Sequence, residues 1–150
     1  MTGVIEINPK LTVEDLLQQR SYTNTCKKIT SENFLKPTEV KIFRKEWRLF
    51  DIKKVMTTGR ARGMVLAENW IPADIFDLLT FGAIDDLTLS PGIVAGLGTN
   101  FKDFSSQLND RLYPALLFYD DERGVVANLL NSYNELDTCD KVLGVREVNS

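Results

Sequence analysis

A glycine-bearing segment, Thr57-Thr58-Gly59-Arg60-Ala61-Arg62-Gly63, separates two runs of sequence: Ile52-Lys53-Lys54-Val55-Met56 before it and Met64-Val65-Leu66-Ala67-Glu68-Asn69-Trp70-Ile71 after it. The first run alternates apolar and charged residues, which is typical of a half-buried strand. The two glycines of the middle segment can adopt positive φ, as a turn requires. Pro72 ends the second run because proline cannot donate a ladder hydrogen bond. The stretch therefore predicts an antiparallel hairpin over residues 52–72.

Other segments extend this pattern in both directions. Thr12 is a good N-cap before acidic residues, which predicts a helix from about residue 12, and a second helix start is predicted at residues 21–23. A short helix is expected at residues 73–79 and another at 99–108. A final hairpin is predicted from residues 113–120 and 125–133, with a turn at 121–124.

These elements predict a single α+β domain over residues 1–150. Five segments are expected in one antiparallel sheet, namely residues 41–47, 52–55, 65–71, 115–119 and 125–130. The fold class is α+β with one antiparallel sheet of about five or six strands and helices packed on one face.

The composition predicts a soluble protein. Apolar residues make up 43% of the chain and charged residues 26%, which is the usual balance for a globular domain. The formal charge of −3 does not favour nucleic acid or an anionic membrane as a partner. No apolar run approaches the roughly 20 residues that span a bilayer, and residues 1–6 lack the features of a secretion signal. We therefore expect a cytoplasmic protein without a membrane span.

The absence of histidine narrows the chemistry. It excludes Ser-His-Asp and Cys-His nucleophiles and histidine-ligated zinc. Cys26 and Cys139 have no CxxC partner and fit reduced thiols. Acidic residues at 85–86 and 120–122 are more typical of solvated turns than of a carboxylate metal site. We predict neither a metal nor a cofactor.

Seven segments carry a resemblance when they are taken in order: Leu16-Leu17-Gln18-Gln19-Arg20-Ser21-Tyr22-Thr23, residues 39–47, Ile52-Lys53-Lys54-Val55, Leu66-Ala67-Glu68-Asn69-Trp70-Ile71-Pro72, Ser90-Pro91-Gly92, Asn100-Phe101-Lys102-Asp103-Phe104 and residues 125–133. They resemble segments of the chorismate pyruvate-lyase family: a Leu-rich helix with Ser-Met-Thr, the strand after it, a Leu-Arg-Glu-Ile strand, an Ala-x-Arg-x-x-x-Pro strand end, a Pro-Leu-Gly turn, a Thr-Arg-Asp-Phe segment and a closing strand that carries a Glu. The resemblance extends over about residues 11–133. It implies a cofactor-free enzyme that makes 4-hydroxybenzoate from chorismate.

The resemblance also implies a ligand site of Tyr22, Lys53, Pro91 and Asn128, with Lys53 and Asn128 at catalytic positions. Lys53 replaces the family's carboxylate-binding Arg, Glu68 replaces a second Arg, and Asn128 replaces a buried acid. Lysine binds a carboxylate as a point charge rather than as a bidentate fork, and an amide cannot protonate a leaving oxygen. We therefore predict binding of a small aromatic carboxylate, such as chorismate or 4-hydroxybenzoate, with catalysis weakened or lost.

Several alternatives stay open. Lys53 and Glu68 also suit a cross-strand ion pair at the sheet surface, and Asn128 suits a polar residue with local hydrogen bonds. Arg60 and Arg62 either add positive charge to the site or belong to a solvated turn. For the whole protein, the alternatives are an active chorismate pyruvate-lyase and a non-catalytic protein-interaction module on the same fold.

Overall fold

The computed structural model describes residues 1–35, 41–84, 89–102, 111–119 and 124–148. Within these ranges the helices are α1 (Val13–Gln18), α2 (Thr58–Ala67) and α3 (Ile75–Gly82). The strands in the same ranges are β1 (Thr2–Ile7), β2 (Asn24–Thr25), β3 (Phe43–Asp51), β4 (Met56–Thr57), β5 (Ile71–Pro72), β6 (Gly92–Ala95), β7 (Phe101–Lys102), β8 (Arg111–Phe118), β9 (Val125–Asn131), β10 (Glu135–Leu136) and β11 (Lys141–Glu147).

Nine of the described strands form one sheet in the order β1-β3-β11-β6-β8-β9-β2, with β5 paired to β11 and β7 paired to β8. The short strands β10 and β4 pair separately. Neighbours in the large sheet are antiparallel except for β11 with β6 and β2 with β9. The α+β class with a mainly antiparallel sheet is confirmed, and the sheet is larger than the five or six strands predicted.

Two strands that the sequence analysis did not identify account for much of this difference. β1 pairs with β3 from Thr2 opposite Arg48 to Ile7 opposite Phe43. β11 lies inside the sheet, where it pairs along its length with β3 and also contacts β5 and β6. The last described strand of the chain therefore joins the two halves of the sheet.

The predicted hairpin over residues 52–72 is wrong, because residues 52–55 form no strand and helix α2 occupies most of the predicted turn and the first half of the predicted second strand. The Thr57 hydroxyl accepts a hydrogen bond from the backbone N–H of Arg60 at 3.4 Å and caps the helix. Ala61 and Val65, four residues apart, are both fully buried, which is the spacing of a helix face rather than of a strand. Asn69 ends the helical segment with a φ of 63°, a left-handed conformation that asparagine tolerates.

The other local predictions have mixed outcomes. The hairpin near the end of the chain is confirmed as β8 and β9, which pair from Leu112 opposite Asn131 to Phe118 opposite Val125. Helix α1 begins after Thr12 as predicted, but the second helix start at residues 21–23 is wrong, since β2 follows there instead. Helix α3 is present after Pro72, although it begins at Ile75. Of the helix predicted over 99–108, residues 101–102 are strand β7 and residues 103–108 lie outside the described ranges.

Two hydrophobic cores lie on opposite faces of the sheet. Val142 of β11 packs with Ala61 and Val65 of α2, whereas the next residue, Leu143, packs in the core that contains Leu78 of α3. Successive side chains of a strand point to opposite faces. Helices α1 and α3 therefore cover one face and α2 covers the other, so the prediction of helices on a single face is wrong.

Candidate functional site

A cavity of about 520 Å³, which we call the α3 cavity, lies beside the N-terminal end of α3 on the face that α1 and α3 cover. Its apolar lining residues are Ile7, Phe34, Leu35, Phe43, Ile75 and Phe76. Its polar lining residues are Asn33, Lys45, Asp74, Asp77, Thr99, Asn100 and Glu147. Seven of the thirteen lining residues are thus polar, and the volume is within the range of about 300–1,000 Å³ that is usual for small-molecule sites.

The N-terminal turn of α3 fixes two of the polar groups. Asp74 is the N-cap residue, and its carboxylate accepts a hydrogen bond from the Asp77 backbone N–H at 2.8 Å. The Asp77 carboxylate accepts in return from the Asp74 backbone N–H at 3.0 Å. This reciprocal capping box satisfies two backbone donors that the helix itself leaves unpaired. Both carboxylates are thus held in place at the wall of the cavity.

Lys45 of β3 forms a buried ion pair with Asp77. The Lys45 Nζ lies 2.9 Å from the Asp77 Oδ1, and the two side chains are only 16% and 2% exposed. The same Nζ lies 5.5 Å from the ring centroid of Phe43, within the range of a cation–π contact. The pair joins α3 to β3 at the wall of the cavity.

Burial of the pair and the attraction between its two charges shift the pKa of each group in opposite directions. Burial first, and the neighbouring Asp74 second, raise the pKa of Asp77 by more than Lys45 lowers it. Burial lowers the pKa of Lys45, but Asp77, Asp74 and Glu147 together outweigh it, so the pKa of Lys45 is raised. A buried carboxyl group that holds a proton more readily than usual, in a cavity, is a common property of functional sites.

The cavity wall carries more negative than positive charge. Lys45 and Asp77 compensate each other, which leaves Asp74 and Glu147 as further carboxylates among the lining residues. Glu147 is exposed at the end of β11, directly opposite Lys45 in the sheet register. With all four groups ionised, the described wall has a formal charge of −2, from one lysine and three acids.

Tyr22 and Asn128, two of the predicted site residues, lie on opposite faces of the sheet. The Tyr22 hydroxyl is buried without a hydrogen-bond partner in the described part of the chain, and burial raises the pKa of Tyr22 to about 12. Tyr22 packs against the core on the α3 face, as does Ala127. Asn128 follows Ala127 in β9 and therefore points to the other face, where it is exposed.

The remaining predicted positions are at the surface. Lys53 is exposed between β3 and β4, and Glu68 is exposed at the C-terminal end of α2. These two residues form no ion pair with each other in the part of the chain that the structure describes, so that alternative is wrong. Pro91 is exposed beside a smaller, mostly apolar pocket of about 340 Å³. The lining of the α3 cavity includes none of the four predicted ligand-site residues, Tyr22, Lys53, Pro91 and Asn128.

Local contacts support the simpler interpretation of Asn128, whereas Arg60 and Arg62 lie on helix α2 and not in a solvated turn. The Asn128 Oδ1 accepts a hydrogen bond from the backbone N–H of Leu129 at 2.8 Å, as expected for a locally satisfied residue. Arg60 is exposed on α2. The Arg62 Nε donates to the backbone carbonyl of Leu97 at 3.1 Å, which anchors α2 to the chain after β6.

The sequence analysis missed Lys45, Asp74 and Asp77. A signal for the two acids was present, because an Asp-x-x-Asp pair after Pro72 has the spacing of a capping box. No signal in the sequence linked either acid to Lys45, since 32 residues separate Lys45 from Asp77. Only the docking of α3 against β3 brings them together.

Among the described residues no group of three or more histidine, cysteine, aspartate or glutamate side chains could hold a metal ion. The acids at 85–86 and 120–122 lie outside the described ranges. No helix in the described ranges has the length and hydropathy needed to cross a bilayer.

Comparison with known proteins gives no match. No protein-family model matches the chain, and neither a curated protein nor a solved structure is significantly similar to it. The resemblance to the chorismate pyruvate-lyase family thus stays a prediction from sequence motifs.

Proposed function

We propose that the protein binds a small organic molecule in the α3 cavity and has little or no lyase activity. The observation that carries this proposal is the cavity itself, which three phenylalanines and three aliphatic side chains line together with a buried Lys45–Asp77 pair. Apolar walls bury the body of a ligand, and a few fixed polar groups orient it.

The position of the polar groups suggests how a ligand lies in the site. Lys45, Asp74 and Asp77 are all at the N-terminal turn of α3 or on the strand that faces it, so they form one polar end. Phe34 and Phe43 supply ring surface in the lining, and the Phe43 ring lies beside this polar end, 5.5 Å from the Lys45 Nζ. A molecule with an aromatic or branched apolar body and one polar end matches this division.

An aromatic carboxylate is a second candidate, and Lys45 favours it. An ammonium group has three N–H donors, and Lys45 uses one of them on Asp77. A ligand carboxylate could accept another. This ligand belongs to the class implied by the resemblance to the chorismate pyruvate-lyase family, although it would bind Lys45 rather than Lys53.

The proposal of little or no lyase turnover is supported by the surroundings of Lys53 and Asn128. Both are exposed, and Asn128 already bonds to its own strand. Water around an exposed group weakens the electrostatic stabilisation that elimination of pyruvate needs. Such groups contribute most to catalysis in a cleft that excludes water.

The test is protein-observed NMR with a panel of small aromatic amines, alcohols and acids, including 4-hydroxybenzoate. We expect shift changes clustered at backbone amides of the cavity, such as Asn33 and Thr99. Phe43→Ala should weaken binding because it removes ring surface from the wall, whereas Tyr133→Ala, at an aromatic residue that is 76% exposed elsewhere, should not. If no compound shifts the cavity amides, the site proposal is wrong and the interaction-module alternative is favoured.

A separate assay tests the catalytic part of the proposal. Purified protein incubated with chorismate should release no 4-hydroxybenzoate above the uncatalysed rate, as followed by chromatography. Turnover at about 1 s⁻¹ or faster, within the ordinary enzymatic range, would show that an active lyase site is present.

A further inference from the structure

The charge of the α3 cavity favours one chemical class of ligand over others. This inference rests on the proposed function. We infer that the site binds an organic cation, a primary amine with an aromatic or apolar body, in preference to an anion of the same shape. The inference depends on which charges line the cavity and on which of them are already compensated.

Lys45 contributes little net attraction for an anion. Its Nζ lies 2.9 Å from the Asp77 carboxyl group, so a ligand carboxylate near Lys45 also meets the negative charge that Asp77 carries above its raised pKa of about 7. The lysine is held on the sheet side of the cavity, where its Nζ also lies near the ring of Phe43. An incoming anion would therefore have to share a cation that is already paired.

Asp74 and Glu147 supply the excess negative charge of the wall, since the single cation among the described lining residues, Lys45, interacts with both of them as well as with Asp77. Asp74 uses one carboxylate oxygen, Oδ1, to cap α3, and no donor to its Oδ2 is present in the described part of the chain. The Glu147 side chain makes neither a hydrogen bond nor an ion pair with the described residues, and it stands opposite Lys45 at the end of β11, where its charge helps to raise the pKa of Lys45. A ligand ammonium group has three N–H donors and can reach open acceptors of this kind.

The aromatic lining favours a cation over a neutral polar group as well. Phe34, Phe43 and Phe76 all line the cavity. The face of an aromatic ring carries partial negative charge and attracts an ammonium group, most strongly where water is excluded. The negative charge of the wall and its aromatic rings therefore both favour a cationic ligand.

The test compares three ligands of nearly equal size and shape: 2-phenylethylamine, 2-phenylethanol and 3-phenylpropionate. Affinities are measured by titration of the cavity amides in NMR spectra. We expect the amine to bind about fivefold or more tightly than the alcohol, since one unit charge about 4 Å away in water is enough for such a ratio. We expect the acid to bind most weakly.

Substitution of Asp74 and Glu147 tests whether these two acids cause the preference for the amine. Asp74→Asn keeps an oxygen that can cap α3, because asparagine is as good an N-cap as aspartate, and Glu147→Gln keeps the shape of an exposed strand residue. Each should reduce the preference for the amine over the alcohol severalfold, and the double variant should abolish it. Glu68→Gln, which removes an exposed charge at the end of α2, is the matched control and should leave the preference unchanged.

Salt provides an independent readout. Raising the ionic strength from about 0.01 M to about 1 M shortens the screening length from about 30 Å to about 3 Å. The affinity for the amine should fall, whereas that for the alcohol should stay nearly constant.

The possible outcomes separate this inference from the proposed function. Equal binding of amine and alcohol at the cavity amides overturns the cation inference and leaves the cavity as a ligand site. Tightest binding of the acid also overturns it and favours the aromatic carboxylate. Failure of all three ligands to shift the cavity amides overturns both proposals.

Discussion

Replacement of Lys45 by methionine should destabilise the protein by an amount that grows with pH. Methionine is similar in length to lysine, so the substitution removes the charge while it keeps much of the packing. It leaves the Asp77 carboxylate, which is 2% exposed, without its cation. Removal of one partner from a buried pair typically costs about 3–5 kcal/mol, because the remaining charge is neither solvated nor compensated.

The pH dependence follows from the direction of the pKa shift. Burial and Asp74 already raise the pKa of Asp77, and the loss of Lys45 should raise it further. A group with a raised folded-state pKa contributes its full stability below the unfolded pKa of about 4, and loses it as the pH rises through the folded value. The cost of Lys45→Met should therefore be about 3 kcal/mol at pH 8 and about 1 kcal/mol near pH 5, where Asp77 can bind a proton.

The free energy of unfolding should be measured at both pH values by urea titration, followed by tryptophan fluorescence. Lys141→Met is the matched control, because its ion pair with Asp51 is at the surface, with side chains 27% and 58% exposed. Surface pairs contribute about 0–1 kcal/mol, so the control should show a small cost. Lys45→Met combined with Asp77→Asn should recover part of the stability at pH 8, since no charge is then buried alone.

Two results would refute this reasoning. One is a cost for Lys45→Met that is the same at pH 5 and pH 8, which would mean that Asp77 is not the group left uncompensated. The other is a cost no larger than that of Lys141→Met at pH 8. Either would show that water reaches the pair freely despite its low exposed area.

Three further predictions concern packing, and the free energy of unfolding tests each of them. Gly98→Ala should destabilise by about 1–3 kcal/mol because the new Cβ would lie 2.1 Å from the backbone oxygen of Pro72, whereas Gly63→Ala on α2, with no atom within 4 Å, should be neutral or stabilising. A large cost at Gly63 would contradict the helix assignment. Tyr22→Phe should leave stability unchanged or raise it by about 1 kcal/mol, because it removes a buried hydroxyl without a described partner; a clear loss would indicate that the hydroxyl is hydrogen-bonded. Leu143→Ala, in the strand that joins the two halves of the sheet, should cost about 2–5 kcal/mol, and a cost below 1 kcal/mol would be inconsistent with its full burial.

The part of the fold that the sequence determined is the part controlled by neighbouring residues. Thr12 and Asp15 form the capping box of α1, with hydrogen bonds of 2.9 and 3.1 Å, and both residues lie in one turn. The hairpin of β8 and β9 was equally predictable, because its strands are adjacent in the chain and alternate in polarity. Signals of this kind operate over a few residues and need no information about the rest of the molecule.

The tertiary structure decided the elements whose pattern fits two structures. Residues 58–67 contain two glycines, two arginines and a short apolar run, a pattern that a turn followed by a strand explains as well as a helix does. Helix α2 is selected because Ala61 and Val65 bury against Val142 of a strand that is distant in sequence. β11 itself was not predicted, since a strand is defined by its partners, and those of β11 are in three separate parts of the chain.

The candidate site depends on the same long-range assembly. The sequence alone supplied a capping signal at Asp74 and Asp77 and, through a distant resemblance, a set of residues that the fold places on opposite faces of the sheet. The buried ion pair and its cavity exist only because α3 docks against β3 and brings Lys45 to a residue 32 positions away. Such a contact is determined by how the elements pack, and burial of the charges then sets their chemistry.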